Sequence, residues 1–290
     1  MTEVRRFACT ECGKCCNRSP EVELSEAAPL ADVFVFRLMF RLYQMRGAPE
    51  PGASAALFYE KKRLLAAHAA RKYPKKGMRG GKAVEVTNYL MISALALDTT
   101  PGACAALSDN RCSIHERRPL GCRTVPFHYS RAEALAASDF DAFVSTRDYR
   151  CDTSEGAALF LQGGRIVDAG TLQARADALL LAERDRAWKE AIVRRMKSCS
   201  DGLPSLKDVE ANVAFAAMTT SMRVGWEIAA DASLISRKNC RDLITQQLEK
   251  MERECARCKS AVADSQTLRE MRAEYQQALN EERHHGSRQA

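Results

Sequence analysis

The chain has 290 residues, 46% of them apolar and 28% charged, a balance that excludes disorder and fibrous repeats and leaves room for one large or two ordinary globular domains. Its 44 Lys and Arg against 37 Asp and Glu leave a net charge of +7, which permits an acidic partner without demanding one. The unusual feature is a count of 12 cysteines.

The first residues, Met1 to Phe7, carry charge and run straight into cysteines with no apolar secretory core, so a reducing cytoplasm is the expected setting for these thiols. No run reaches the roughly 18 apolar residues of a membrane span. The longest greasy stretch, Leu30 to Leu42, is cut by Asp32, Arg37 and Arg41, so no membrane insertion is expected.

Ser25 as N-cap and Leu30, Val33, Phe34, Leu38, Leu42 and Met45 at helical spacing predict a helix over 26–46, ended by Gly47. After a loop, Gly47 to Gly52, Ser54 caps a second predicted helix that runs to Lys72, followed by a basic Gly-rich connector, Lys75 to Lys82. Val84 to Leu97 is β-branched and aromatic and predicts one or two strands. Pro101-Gly102, Ser108-Asp109-Asn110 and Pro119 mark tight turns. Ala132 to Val144 reads as a helix, and Ala158 to Val167 as a hairpin turning at Gly163-Gly164. Beyond Thr171 the pattern is helical over Leu172–Cys199, Leu206–Ala230, Leu234–Ala261 and Ser265–Glu282, with Asp201-Gly202-Leu203-Pro204 as the clearest break.

These elements make an α+β fold, mostly α. A small cysteine-rich, metal-centred α+β region with loops and short strands is expected over 1–170. It carries a basic helical insertion at 47–83, and a helical region follows over 171–290.

The cysteines carry the chemistry. Cys9, Cys12, Cys15 and Cys16 open the chain, Cys104, Cys112 and Cys122 form a second group, and Cys151 follows. Two-residue gaps let a tight turn aim successive sulfurs at one point, and thiolates held this way select zinc or an iron-sulfur cluster over hard cations. In a reducing compartment such density points to metal rather than disulfides. Four cysteines complete one site, and the eight would suffice for two. Adjacent side chains leave the backbone in different directions, so Cys15 and Cys16 are not expected to reach one small ion together. Joining the two groups closes the 88 residues from Cys16 to Cys104, at a cost of roughly 4 kcal/mol, and structural zinc offsets this with about 10 to 16 kcal/mol. Lys14, Arg18, Arg117, Arg118 and Arg123 neighbour the ligands in sequence and can neutralise a thiolate site, or simply lie in solvent. A cysteine nucleophile with His115 or His128 as base is the weaker alternative.

Other features read as structural. Cys255 and Cys258 share a helix face, with Cys240 or Cys199 as conceivable co-ligands, and are read as ordinary helix residues. His68 is read as structural and His284-His285 as a frayed polar terminus. Trp188, Met196, Met218, Met222 and Trp226 are read as core or helix interface. The stretch Lys61 to Lys82 holds nine cations and no carboxylate; it could meet nucleic acid or an acidic protein, though a solvated face is the simpler reading.

The run Phe7-x-Cys9-x2-Cys12-Gly13-x-Cys15-Cys16, with Cys104-x2-Leu107 and Cys112-x-Ile114-x3-Arg118-Pro119-x2-Cys122-Arg123-x2-Pro126, resembles the bacterial CxxCxxCC family of zinc- or iron-chelating domain proteins. The resemblance covers about residues 7–30 and 84–156. His115 stands where the family usually has Tyr, and Val125 where it has Phe; His115 is read as replacing a packed Tyr, with an added nitrogen ligand as the alternative. A distant likeness to flagellin lysine N-methylase would imply an iron-sulfur cluster and S-adenosylmethionine-dependent methyl transfer. The radical S-adenosylmethionine spacing Cys-x3-Cys-x2-Cys and a GxGxxG turn are absent from the sequence. The expected function is metal binding by Cys9, Cys12, Cys15, Cys16, Cys104, Cys112, Cys122 and Cys151. The alternatives are an iron-sulfur protein-lysine methyltransferase and an interaction module with structural zinc.

Overall fold

The computed structural model describes residues 3–79, 82–100, 102–146, 148–198, 202–212, 217–257 and 265–286. Cys199 and Cys258 lie outside them.

In chain order the elements are β1 (Val4–Arg6), β2 (Glu21–Val22), α1 (Leu24–Ala27), β3 (Phe36–Arg46), α2 (Ala55–His68), β4 (Arg71–Arg79) and β5 (Lys82–Ala96). Two short strands follow, β6 (Leu107–Ser108) and β7 (Arg111–Cys112), then α3 (Leu120–Arg123), α4 (Ala136–Val144), β8 (Leu159–Gln162), β9 (Arg165–Ile166), α5 (Ala169–Arg184) and α6 (Arg186–Lys197). The chain ends with α7 (Leu206–Ala211), β10 (Met218–Ser221), α8 (Met222–Asp231), α9 (Arg237–Arg257) and α10 (Ser265–Gly286). The class is α+β, mostly α, as the sequence predicts.

The chain divides into two interleaved compact units, one of residues 1–17, 42–91 and 107–184, the other of 18–41, 92–106 and 185–290. The long strands are shared out by this division, β3 after Arg41 and β5 after Met91.

In the first unit, β1 pairs antiparallel with β8, which turns through Gly163 and Gly164, both at positive φ, into β9. Phe127, Ala136, Phe140, Phe160, Leu161 and Ile166 are buried together beneath this sheet, and Phe7 packs edge-on to Phe140 at 6.3 Å between ring centres. Leu120, Ala174 and Ala178 form a second small core, joined by Tyr129 and Leu181. The β4–β5 hairpin pairs Arg71 with Leu90 through to Arg79 with Lys82. The hydroxyl of Ser54 accepts from the Leu57 N–H and starts α2 where the sequence places it.

The second unit is more deeply packed. Phe34, Phe36, Leu38 and Phe40 are all buried in the sheet order β10-β3-β5-β2, together with Ile92, Trp226, Met222 and Tyr275. The Gln247 side chain donates to the Ala31 and Phe34 carbonyls and accepts from the Phe36 N–H, satisfying backbone groups where β3 begins. A buried ion pair joins Lys189 Nζ to Glu23 Oε2 at 2.7 Å. Trp188 donates to the Gly225 carbonyl at 2.8 Å. Trp188, Met196, Met222 and Trp226 are core residues, as expected.

Five predicted elements are corrected. The helix over 26–46 is a short α1, a 3-10 turn at Ala28–Leu30 and then the strand β3. Phe34, Phe36, Leu38, Phe40 and Leu42 also alternate at period two, and pairing with β10 (Phe40 with Met218, Arg37 with Ser221) selects that period. The second helix stops at His68, and the supposed connector is β4, its polar residues held by ladder bonds to β5. The helix over 172–199 breaks at Asp185, whose buried carboxylate accepts from the Ser25 N–H at 3.0 Å. The helix over 206–230 is interrupted by β10, where Thr219 and Thr220 favour a strand.

Candidate metal centre

The site begins with a zipper. The Ala8 N–H donates to the Asp152 carbonyl at 2.8 Å, the Asp152 N–H returns a bond to Ala8 at 3.0 Å, and the Thr10 hydroxyl donates to the Arg150 carbonyl at 2.8 Å. Cys9 and Cys151 therefore flank one antiparallel bridge, although some 140 residues separate them. Beyond Thr10 the chain turns tightly: Glu11 and Gly13 take positive φ of 56° and 70°, and the Cys16 N–H closes the turn on the Gly13 carbonyl at 3.0 Å. This knuckle displays Cys12, Cys15 and Cys16, all half-buried, while Cys9 is exposed. All ten described cysteines are thiols.

The sulfurs sense one another. Burial pushes the Cys151 thiol up to about 11, and the nearby Cys12, Cys15 and Cys9 sulfurs add to the shift. For Cys15 the Cys16 thiol is a hydrogen-bond partner; that bond outweighs burial and, with the Arg118 guanidinium nearby, holds Cys15 at about 6. Burial opposes ionisation of Cys12, yet bonds from the Lys14 and Arg150 backbone and the Thr10 side chain bring it below the ordinary thiol range. Backbone N–H groups aimed at sulfur are what a metal thiolate requires to offset its charge.

A second segment leans on the knuckle. A side chain at Gly13 would strike the Asn110 carbonyl and meet Leu107 at 2.8 Å, so only glycine lets the turn touch the β6–β7 hairpin. Cys112 lies in that hairpin, paired with Leu107. His115 then reaches back, its Nε2 3.5 Å from Glu11 Oε1 and its Nδ1 3.7 Å from Glu116. Arg118 Nε donates to the His115 carbonyl at 3.0 Å. Sequence reasoning missed the Glu11–His115 contact and the role of Gly13; a glycine set between closely spaced cysteines was the available signal.

The eight expected ligands thus occupy different places. Cys9, Cys12, Cys15, Cys16 and Cys151 share one neighbourhood, in which the Cys16 thiol is hydrogen-bonded to Cys15. Cys112 sits on the hairpin that contacts Gly13. Cys122 lies in α3, its N–H donating to the Pro119 carbonyl at 2.9 Å. Cys104 belongs to the second unit, just past the Thr100–Ala103 bridge. Among the described residues, no group of three or more His, Cys, Asp or Glu side chains has the arrangement that holds a metal ion. The donor set nevertheless suits one chemically, being sulfur-only, part-buried and provided with N–H donors and Arg118. Of the neighbouring cations, Lys14, Arg117 and Arg123 are exposed.

The remaining cysteines and histidines are placed differently. Cys240 is buried and Cys255 half-buried on α9. His68 is buried with its ring 5.6 Å from that of Tyr129, and His128 stacks on Tyr129 at 4.3 Å with Nδ1 2.8 Å from Ser130 Oγ. Among the described residues no helix is long and apolar enough to cross a membrane.

No curated protein and no solved structure matches the chain. The model of one family, CxxCxxCC, described as "putative zinc- or iron-chelating domain", matches residues 8–152, half of the chain. The match begins one residue before Cys9, ends one after Cys151 and contains all eight expected ligands. The chain belongs to this CxxCxxCC family.

Proposed function

We propose that the protein binds a metal through a four-thiolate centre formed by Cys9, Cys12, Cys15 and Cys151, the metal being a zinc ion or the iron of an iron-sulfur cluster. The observation that carries this reading is the electrostatic grouping of those four sulfurs from opposite ends of the matched segment, brought together by the Ala8–Asp152 bridge. Four thiolates satisfy either a tetrahedral zinc or a cubane. Cys16, bonded to Cys15, is the nearest thiol in reserve, and Cys112 is next through the hairpin. Their presence makes room for a cluster or a second ion. Arg118 and the backbone of Lys14 and Arg150 would disperse the charge of the loaded site.

Metal bound here would lock the two ends of the family segment, its chemistry being structural for zinc and electron-storing for a cluster. Purification without oxygen, followed by metal and acid-labile sulfide analysis, tests the proposal. A colourless protein with zinc or a brown one with iron and sulfide is expected, in a fixed ratio to chain. Sub-stoichiometric metal of both kinds, under reducing conditions and with excess metal supplied, would overturn it.

A further inference from the structure

The basic stretch that follows α2 is an ordered array, and its composition points to a ligand. Over residues 55–79 the only carboxylate is Glu60, and its Oε1 accepts from the Glu133 N–H at 2.8 Å. Against it stand Lys61, Lys62, Arg63, Arg71, Lys72, Lys75 and Lys76. Because residues 71–79 form a strand, alternate side chains share a face about 7 Å apart: Arg71, Tyr73 and Lys75 on one, Lys72 and Lys76 on the other. Among the described residues β4 pairs only with β5, so it is an edge, and Lys72, Lys75 and Lys76 are exposed along it.

Lysines and Pro74 by themselves would serve to stop this edge from pairing with another chain. The aromatic rings go beyond that need. Tyr59 is 56% exposed on α2, edge-on to Phe58 at 5.3 Å, and Lys62 Nζ stands 5.9 Å from the Phe58 ring. On β4 the Arg71 guanidinium lies 5.2 Å over the Tyr73 ring. Cations beside an exposed ring, Tyr59, match a chain of phosphates carrying unstacked bases.

We propose that the basic segment running through α2 and the edge strand β4 binds single-stranded nucleic acid, its phosphates on the lysines and arginines and a base on Tyr59. A duplex offers no unstacked base.

Binding of the full-length protein to fluorescent RNA and DNA oligonucleotides of mixed sequence, followed by polarisation, tests this. Saturable binding to at least one of the two strands is expected, and comparing them separates the two sources. The variant Lys72→Glu/Lys75→Glu/Lys76→Glu should lose at least about tenfold in affinity, and its salt dependence should flatten by about 2 in log–log slope for three lost phosphate contacts. Tyr59→Ala should weaken the single strand by about tenfold while changing binding to the matching duplex little. Unchanged circular dichroism identifies variants that fold, and Lys72→Gln/Lys75→Gln/Lys76→Gln replaces the charge reversal if it does not. Absence of saturable binding near 50 mM salt, a triple variant that binds like the parent, or a Tyr59→Ala effect equal for strand and duplex would each overturn the proposal. So would capture by polyglutamate or phosphatidylserine vesicles with the oligonucleotide left unbound.

Discussion

The second unit and the cysteine knuckle of the first are held together by different means. The second buries Phe34, Phe36, Phe40, Trp226 and Tyr275, ties a strand entry to Gln247, and sequesters the Lys189–Glu23 pair. In the first, the knuckle of Cys12, Cys15 and Cys16 has no large apolar side chain of its own. It rests on a bridge of two backbone bonds, a turn with two positive φ angles and a glycine contact. A segment with so little burial is ordered cheaply only if something else draws its thiols together. The difference teaches that an apolar core stabilises the second unit, whereas the knuckle, with little burial of its own, would draw on the proposed metal.

Substitutions should separate the two means. The largest effect is expected for Cys12→Ala and Cys15→Ala: metal content falls to background and the metal's stabilisation, on the order of 10 kcal/mol in small zinc peptides, is lost. Cys255→Ala on α9 keeps both, as metal analysis alongside thermal unfolding will show. Trp226→Ala should cost about 3 to 5 kcal/mol of stability through the cavity it leaves, while the metal affinity of the folded fraction stays unchanged. If it fell in step with stability, the separation would be wrong.

Gly13→Ala removes no thiol, yet it forces a side chain at φ +70° against the Asn110 carbonyl. A loss of about 1 to 3 kcal/mol is expected, read as weaker zinc retention in a chelator competition. The gentlest probe is pH. Cys151, raised to about 11, is a neutral thiol near pH 7 and must give up its proton when metal binds, whereas Cys15, at about 6, has already done so. Protons compete with metal, so apparent affinity should rise with pH from 6 to 8, roughly tenfold per unit for each proton displaced. Below pH 6 Cys15 joins the competition and the dependence steepens. A flat profile would show that Cys151 is not a ligand.

What could be read in advance was local. The Ser54 cap, the Gly163-Gly164 turn and the CxxC gaps depend on neighbours a few residues apart, and each appears where the sequence placed it. Strand β3 was misread because Leu30, Val33, Leu38 and Leu42 fit a helix while Phe34, Phe36, Leu38, Phe40 and Leu42 fit a strand. Only the partner β10, far along the chain, decides between them. The same holds for the site. The knuckle was legible, but the seat of Gly13 on Asn110 and the approach of His115 to Glu11 join segments about 100 residues apart, and no single sequence displays that register. The Lys75–Lys82 stretch looked like a connector because its side chains are polar, while a β-ladder is made by the backbone.

The central claim, that sulfurs from both ends of the family segment hold one metal, is tested most directly by X-ray absorption at the edge of the bound metal, for the native chain and for Cys151→Ser. For zinc, four sulfur neighbours at about 2.3 Å falling to three in the variant is the predicted result; for a cubane, whose irons carry one cysteine sulfur each, about one iron in four should exchange a sulfur for an oxygen neighbour. A shell dominated by nitrogen or oxygen, or one that Cys151→Ser leaves unchanged, would contradict it.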